Sequence, residues 1–294
     1  DGVALYNVVK VMRVLRGEEV PLKAQMATLL EVVRDPVTLG PLAEQLLAGQ
    51  TDPSPVVLAL FEWAKGTGAN ALYSARLKVG DAGAARSRFV AALHKVGERG
   101  WPVVAAALER HQPAPGVPFD DKLAEDLLRS LPHVQNERIG SVLAAYVRGA
   151  GPVAARLAIP ELVHVWGERA RPVLLGALSV ADEGVRAAAF AGLGEIGNVD
   201  GVAIQRADAL LRGGASVGDD LKVAAALAIA RAQPEARASA AVVLQRALAS
   251  RTTGPQIFRT KEGPRVFVAI GQAFMMVGGR SAQTEVGAAL EKIP

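Results

Sequence analysis

DEGVRAAAFAGLGEIGNVDGVAIQRADALLR, residues 182–212, is the stretch on which the fold turns. Val185, Ala188, Ala189, Leu193 and Ile196 recur three, four and seven positions apart, the apolar stripe of an amphipathic helix. Gly197 and Asn198 follow, residue types that take the left-handed conformation closing a helix. A second stripe runs through Val202, Ile204, Ala207, Leu210 and Leu211 and stops at Gly213–Gly214. The unit therefore reads as helix, tight turn, helix.

The same turn recurs along the chain. HKVGERGWPVVAAAL (94–108) and HVWGERARPVLLGAL (164–178) are near twins whose glycines, Gly97 and Gly167, match Gly197. Weaker equivalents fall at Arg34, Ala64, Pro132, Ala230 and Gly278. Successive intervals are 30, 33, 35, 35, 30, 33 and 48 residues, a rhythm that accident does not produce. No stretch shows sustained strand alternation. The expectation is one all-α domain over residues 1–294, an α-solenoid of about eight helix–turn–helix repeats. Two irregular segments interrupt it. HQPAPGVPFDD, residues 111–121, holds three prolines and reads as a stiff linker or sub-bundle border. SRTTGPQIFRTKEGP, residues 250–264, reads as an inserted loop, with Ile257, Phe258, Arg259 and Lys261 as a candidate contact element.

Composition agrees. Half of the 294 residues are hydrophobic but only 4% are aromatic, and the apolar content is mostly Ala, Leu and Val, which suits close helix packing. The net charge of +4, from 33 basic and 29 acidic residues scattered singly, does not mark a nucleic-acid binder. Cysteine is absent, which excludes disulfides, thiolate metal sites and cysteine nucleophiles. The longest strongly apolar run, Val223 to Ala230, is far short of a membrane span, so no membrane insertion is expected. No signal-peptide pattern is present and the chain is taken as cytoplasmic. It opens on Asp1, so it reads as a processed chain or a fragment of something longer, and a removed leader would have taken its address with it.

Asp182, Val185, Arg186, Ala188, Ala189, Leu193, Gly194, Ile196 and Gly197 carry a resemblance to the HEAT repeat, in the short HEAT-like form of phycobilisome lyases. The likeness is strong for this unit, moderate for residues 84–108 and 154–178, and elsewhere a matter of spacing. It implies stacked helix pairs in a right-handed superhelix, with the second helix of each pair lining a concave side. A cation recurs eleven residues before the turn, at Arg186, Arg156, Arg86 and Lys23, and is expected to join a ladder of hydrogen bonds between stacked units.

Chemistry is hard to find. The four histidines, His94, His111, His133 and His164, form no HExxH motif. HEAT-like deoxyhypusine hydroxylases hold di-iron with His–Glu dipeptides, and none occurs here. His94/Glu98 and His164/Glu168 straddle helix ends two repeats apart, roughly 20 Å at about 10 Å per helix layer, too far to share one metal. Serine elbows and phosphate-binding glycine loops are also missing. No catalytic residue, cofactor or metal is assigned, and the chain is expected not to be an enzyme. The expectation is a protein-binding scaffold or adaptor, part of a larger protein or assembly, contacting its partner through Arg99, Arg169, Arg171, Gln205 and Arg206 on the second helices. The alternative is a nucleic-acid-binding groove like that of HEAT-like DNA glycosylases, using Trp63, Trp101 and Trp166 with neighbouring arginines. Trp101 and Trp166 fall on opposite sides of their turns, which favours buried aromatics instead.

Overall fold

The computed structural model of the chain describes residues 34–49, 55–114, 116–131, 137–212, 216–252 and 263–290. Among them every regular element is helical; the nearest approach to a sheet is one isolated bridge between Val199 and Ala232. The chain divides into two compact units, residues 1–134 and 135–294, a border just beyond the proline-rich 111–121 segment.

In the first unit the helices are α1 (Pro36–Ala48), α2 (Pro55–Ala64), α3 (Gly66–Val79), α4 (Gly83–Val96), α5 (Trp101–Arg110) and α6 (Asp121–Arg129). First helices pack in the order α2, α4, α6 and second helices in the order α1, α3, α5. The second unit holds α7 (Glu137–Gly149), α8 (Pro152–Trp166), α9 (Arg171–Ala177), α10 (Glu183–Ile196), α11 (Gly201–Arg212), α12 (Asp219–Ile229), α13 (Arg237–Thr252) and α14 (Pro264–Leu290), which is broken at Gly279. There α8, α10, α12 and α14 pack in succession, α7 lies on α9, and α11 on α13.

Local chemistry sets the ends of these helices. Asp35, Asp120 and Asp182 cap α1, α6 and α10 by accepting the backbone N–H groups of Val37, Leu123 and Val185. At the other end Gly97, Gly167 and Gly197 have φ of 64°, 51° and 78°, and each returns its N–H to the carbonyl four residues earlier. Space around each is open, but L side chains rarely adopt this positive φ, so the turn selects glycine. The anticipated turn near Ala64 falls on Lys65, a non-glycine residue at φ 56° and ψ −127°. The one near Gly278 falls on Gly279, φ 62°. Ala230 stays in the right-handed region, and the chain turns beyond it through a short 3-10 helix, Pro234–Ala236. The anchor at Pro132 and the cation Lys23 lie outside the described residues.

The apolar stripes hold with small rotations. In α10, Val185, Ala189, Phe190 and Leu193 are buried while Ala188 and Ile196 are half-exposed. In α11, Ala203 occupies the inward slot assigned to Val202, which is 50% exposed, and Leu210 is half-exposed. The reason is the start of α11 at Gly201: the inward set is 203, 204, 207 and 211, a 3.6-residue period that 202 does not meet. Small residues permit the close packing expected of them. A Cβ on Gly194 would lie 3.1 Å from Ala228 Cα, so α10 and α12 meet almost backbone to backbone. The segment between α13 and α14 is shorter than the anticipated 250–264 loop, because α13 continues to Thr252.

Candidate functional site

Two arrangements concentrate polar chemistry. The first is a buried ion-pair cluster in the first unit. Asp126 of α6 is 2% exposed and accepts Nε–H from Arg76 of α3 and from Arg86 of α4, each at 2.9 Å. Arg76 also donates to Asp81 at 2.8 Å and to the Gly80 carbonyl at 2.8 Å; Arg86 donates to Glu125 at 2.9 Å and to the Lys122 carbonyl at 3.3 Å. The hydrogen bond from Arg76 holds the Asp81 carboxyl below the usual carboxylate range. Burial pushes Arg86 toward losing its proton, and its bonds to Glu125 and Asp126 outweigh that, holding the guanidinium above its ordinary value. Arg86 thus joins α4 to α6, a link of the kind expected for the recurrent cation. Arg156 lies against the backbone of Gly184 instead, and Arg186 pairs loosely with Glu183 at 3.6 Å, its Nε–H buried without a partner.

Beside this cluster, α4 and α6 border an open cleft of about 520 Å³. Ser87, His94 and Asp126 in its lining are already engaged. Ser87 donates to the Gly83 carbonyl at 3.1 Å, His94 Nε2 lies 2.6 Å from the Arg129 carbonyl, and Asp126 is held by two arginines. Ser87 and His94 stand seven positions apart on one helix, about 10 Å along its axis, so they form no nucleophile–base pair.

The second arrangement ties successive turns together in the second unit. Arg171 donates to Glu168 at 2.7 Å and reaches the carbonyls of Asn198 at 2.6 Å and Gly197 at 3.0 Å, at the C-terminus of α10. That turn is bound in its own right to the next: Val199 N–H donates to the Arg231 carbonyl at 3.0 Å, and Gln233 N–H to the Val199 carbonyl at 3.1 Å. Arg206 reaches the Leu175 carbonyl at 3.3 Å and Ser179 Oγ at 2.5 Å, and Arg251 the Leu211 carbonyl at 3.1 Å. In the first unit Arg88 likewise donates to the carbonyls of Leu47 and Gly49. Each cation meets the carbonyl end of a neighbouring helix, where unpaired oxygens and the helix dipole favour positive charge.

The anticipated contact residues therefore separate into two groups. Arg99, Arg169 and Gln205 are exposed. Arg169 pairs with Glu137 at 3.1 Å and lies 5.4 Å over the Trp166 ring. Arg171 and Arg206 are half-buried and spent on carbonyls of neighbouring helices. Ile257, Phe258, Arg259 and Lys261 lie outside the described residues. Trp63 is buried, and Trp166 rests on α7 so closely that a Cβ on Gly140 would stand 1.8 Å from its Nε1. Sequence reasoning missed Arg76, Arg88 and Asp126, because an ion pair 50 residues apart leaves no local pattern.

Among the described residues no group of three or more His, Cys, Asp or Glu is placed to hold a metal ion, and no helix is long and apolar enough to cross a membrane. No protein-family model matches the chain, and no curated protein matches it either.

Proposed function

We propose that the chain is a HEAT-like α-solenoid that works as a non-catalytic protein-binding scaffold in a larger protein or assembly. The observation that carries this reading is the stacking of equivalent turns in the second unit, Arg171 onto Gly197 and Asn198, and Val199 onto Arg231 and Gln233. First helices in that unit pack in chain order, α8 to α10 to α12 to α14. Such nearest-neighbour stacking leaves the second-helix face free to hold a partner segment. The engaged state of the cleft residues His94, Ser87 and Asp126 supports binding over catalysis.

Affinity capture with quantitative mass spectrometry tests the function. A scaffold enriches one defined protein, at near-equal stoichiometry, and loses it when Arg99, Arg169 and Gln205 are changed together to glutamate. Stoichiometric iron or zinc in purified protein, or salt-sensitive retention of DNA or RNA with no protein partner, would overturn the proposal.

A further inference from the structure

The cleft between α4 and α6 holds more hydrogen-bonding capacity than the first unit uses. Ser87, Ala91 and His94 stand at i, i+4 and i+7 along the α4 wall, and Glu125 and Arg129 at i and i+4 along the α6 wall. The ion pairs beside the cleft close on themselves: Arg76, Arg86 and Lys122 answer Asp81, Glu125 and Asp126, three cations to three anions. Arg129 stands outside that set. It is exposed, and its guanidinium meets no acceptor among the described residues.

Glu125 and Arg129 have the spacing at which opposite charges on a helix pair, yet they do not pair. Glu125 turns its Oε2 to Arg86 at 2.9 Å and leaves Oε1 without a donor among the described residues. Ser87 spends its proton on the Gly83 carbonyl at 3.1 Å, so its oxygen keeps lone pairs for an incoming donor. His94 closes the far end, its ring held at 2.6 Å from the Arg129 carbonyl. Between the polar groups, exposed Ala91 and half-buried Val90 leave an apolar strip. Neighbouring turns of α6 thus present an unspent cation and an unspent anionic oxygen, about 6 Å apart along the axis.

We propose that the α4–α6 cleft is a binding site for a free apolar amino acid, with its carboxylate on Arg129 and its ammonium on Glu125 Oε1 and Ser87 Oγ. A guanidinium fork matches a carboxylate bidentately, and an ammonium supplies only donors to groups that here can accept. Both charges of the ligand sit on one carbon, so it bridges adjacent helix turns. Charge also selects a zwitterion: Glu125 and Asp126 repel a second negative group, and Arg129 repels a simple cation. A small aliphatic side chain lies on Ala91 and Val90. The cleft volume of about 520 Å³ falls within the range of small-molecule pockets. The site lies within the first unit and does not depend on the scaffold reading.

Isothermal titration of the full chain with alanine, valine and leucine tests the proposal. At least one is expected to bind with one site per chain. Its amide, which lacks the carboxylate, and its N-acetyl form, which lacks the ammonium, should each bind about tenfold or more weakly. Arg129→Gln should weaken the amino acid about tenfold and erase its preference over the amide, a change in selectivity that a structural role would not produce. Ala91→Leu should weaken binding without altering charge, and Arg280→Gln, exposed on α14 in the second unit, should leave it unchanged. Arg129 and Ala91 are exposed, so circular dichroism of both variants should match the parent. No binding of any of the three, equal binding of the amide or N-acetyl form, or an Arg129→Gln variant that keeps the preference would overturn the proposal. Such a failure leaves the partner capture of the preceding section standing, and loss of the captured partner leaves this site standing.

Discussion

Asp126→Ala should cost the first unit more stability than any other single side-chain truncation on its surface or cleft. The carboxylate is 2% exposed and takes Nε–H bonds at 2.9 Å from Arg76, itself 2% exposed, and from Arg86. Removing one partner of a buried pair costs about 3–5 kcal/mol, because the remaining charge stays desolvated. Arg76 keeps Asp81 and the Gly80 carbonyl, and Arg86 keeps Glu125, so the lower end, about 3 kcal/mol, is expected. At a urea m-value of about 2 kcal/mol/M that is a midpoint shift of about 1.5 M. The measurement is urea unfolding followed by hydrogen exchange, since the loss should appear in α3, α4 and α6 and leave residues 137–290 protected. A control separates charge from packing: Arg76→Met with Asp126→Leu removes both buried charges and should be more stable than Asp126→Ala alone. A cost below about 1 kcal/mol, or a double variant weaker than the single, refutes the account of a desolvated ion-pair cluster.

Four further outcomes follow from single positions. Lys65→Gly should raise stability by about 1 kcal/mol in thermal or urea melts, because Lys65 holds a φ of 56° that glycine takes freely; Gly197→Ala, at φ 78°, should lower it by about 1–2 kcal/mol. Gly140→Ala should destabilise by about 2–3 kcal/mol and shift tryptophan fluorescence, since its methyl would stand 1.8 Å from Trp166 Nε1; an unchanged melt and spectrum would show that the indole does not rest on α7. Asp81 has a folded pKa held below its unfolded value of about 3.9, so its bond to Arg76 adds stability above that pH and loses it as pH falls through the folded value. The gap in urea midpoint between parent and Asp81→Asn should therefore close below about pH 4, and a gap that persists at lower pH would contradict the assignment. Asp81 is 44% exposed at its side chain, so the gap is small.

What the sequence announced was whatever a few neighbouring residues decide by themselves. Gly97, Gly167 and Gly197 stand out because a left-handed turn closing a helix excludes other side chains, and all three adopt it. The caps formed by Asp120 and Asp182 are equally local, each carboxylate accepting an N–H three residues on. Lys65 was illegible because the chain there tolerates a strained residue where the turns at Gly97, Gly167, Gly197 and Gly279 carry glycine. The Asp126 cluster was illegible because its partners lie 40 and 50 residues away and no spacing rule links them. Burial at Val202 was misplaced by one residue, since the turn length between Gly197 and α11 sets the phase of the second helix, and sequence gives that length only within a residue or two.

The arginines explain how a chain with so few aromatic residues holds its helices in register. Apolar contacts between Ala, Leu and Val are non-directional and tolerate a slide of one helix along another. A guanidinium reaching a particular carbonyl does not. Arg171 selects Gly197 and Asn198, Arg206 selects Leu175, Arg251 selects Leu211 and Arg88 selects Leu47. Every acceptor lies in the last turn of a helix or just past it, where carbonyls lack intrahelical donors, so a slide of one turn would leave both groups unpaired. The cations eleven residues before the turns do not share this device: Arg86 meets the carboxylates of Asp126 and Glu125, Arg156 lies against Gly184, and Arg186 pairs with Glu183. By this logic Arg171 and Arg206 serve to hold neighbouring helices in register.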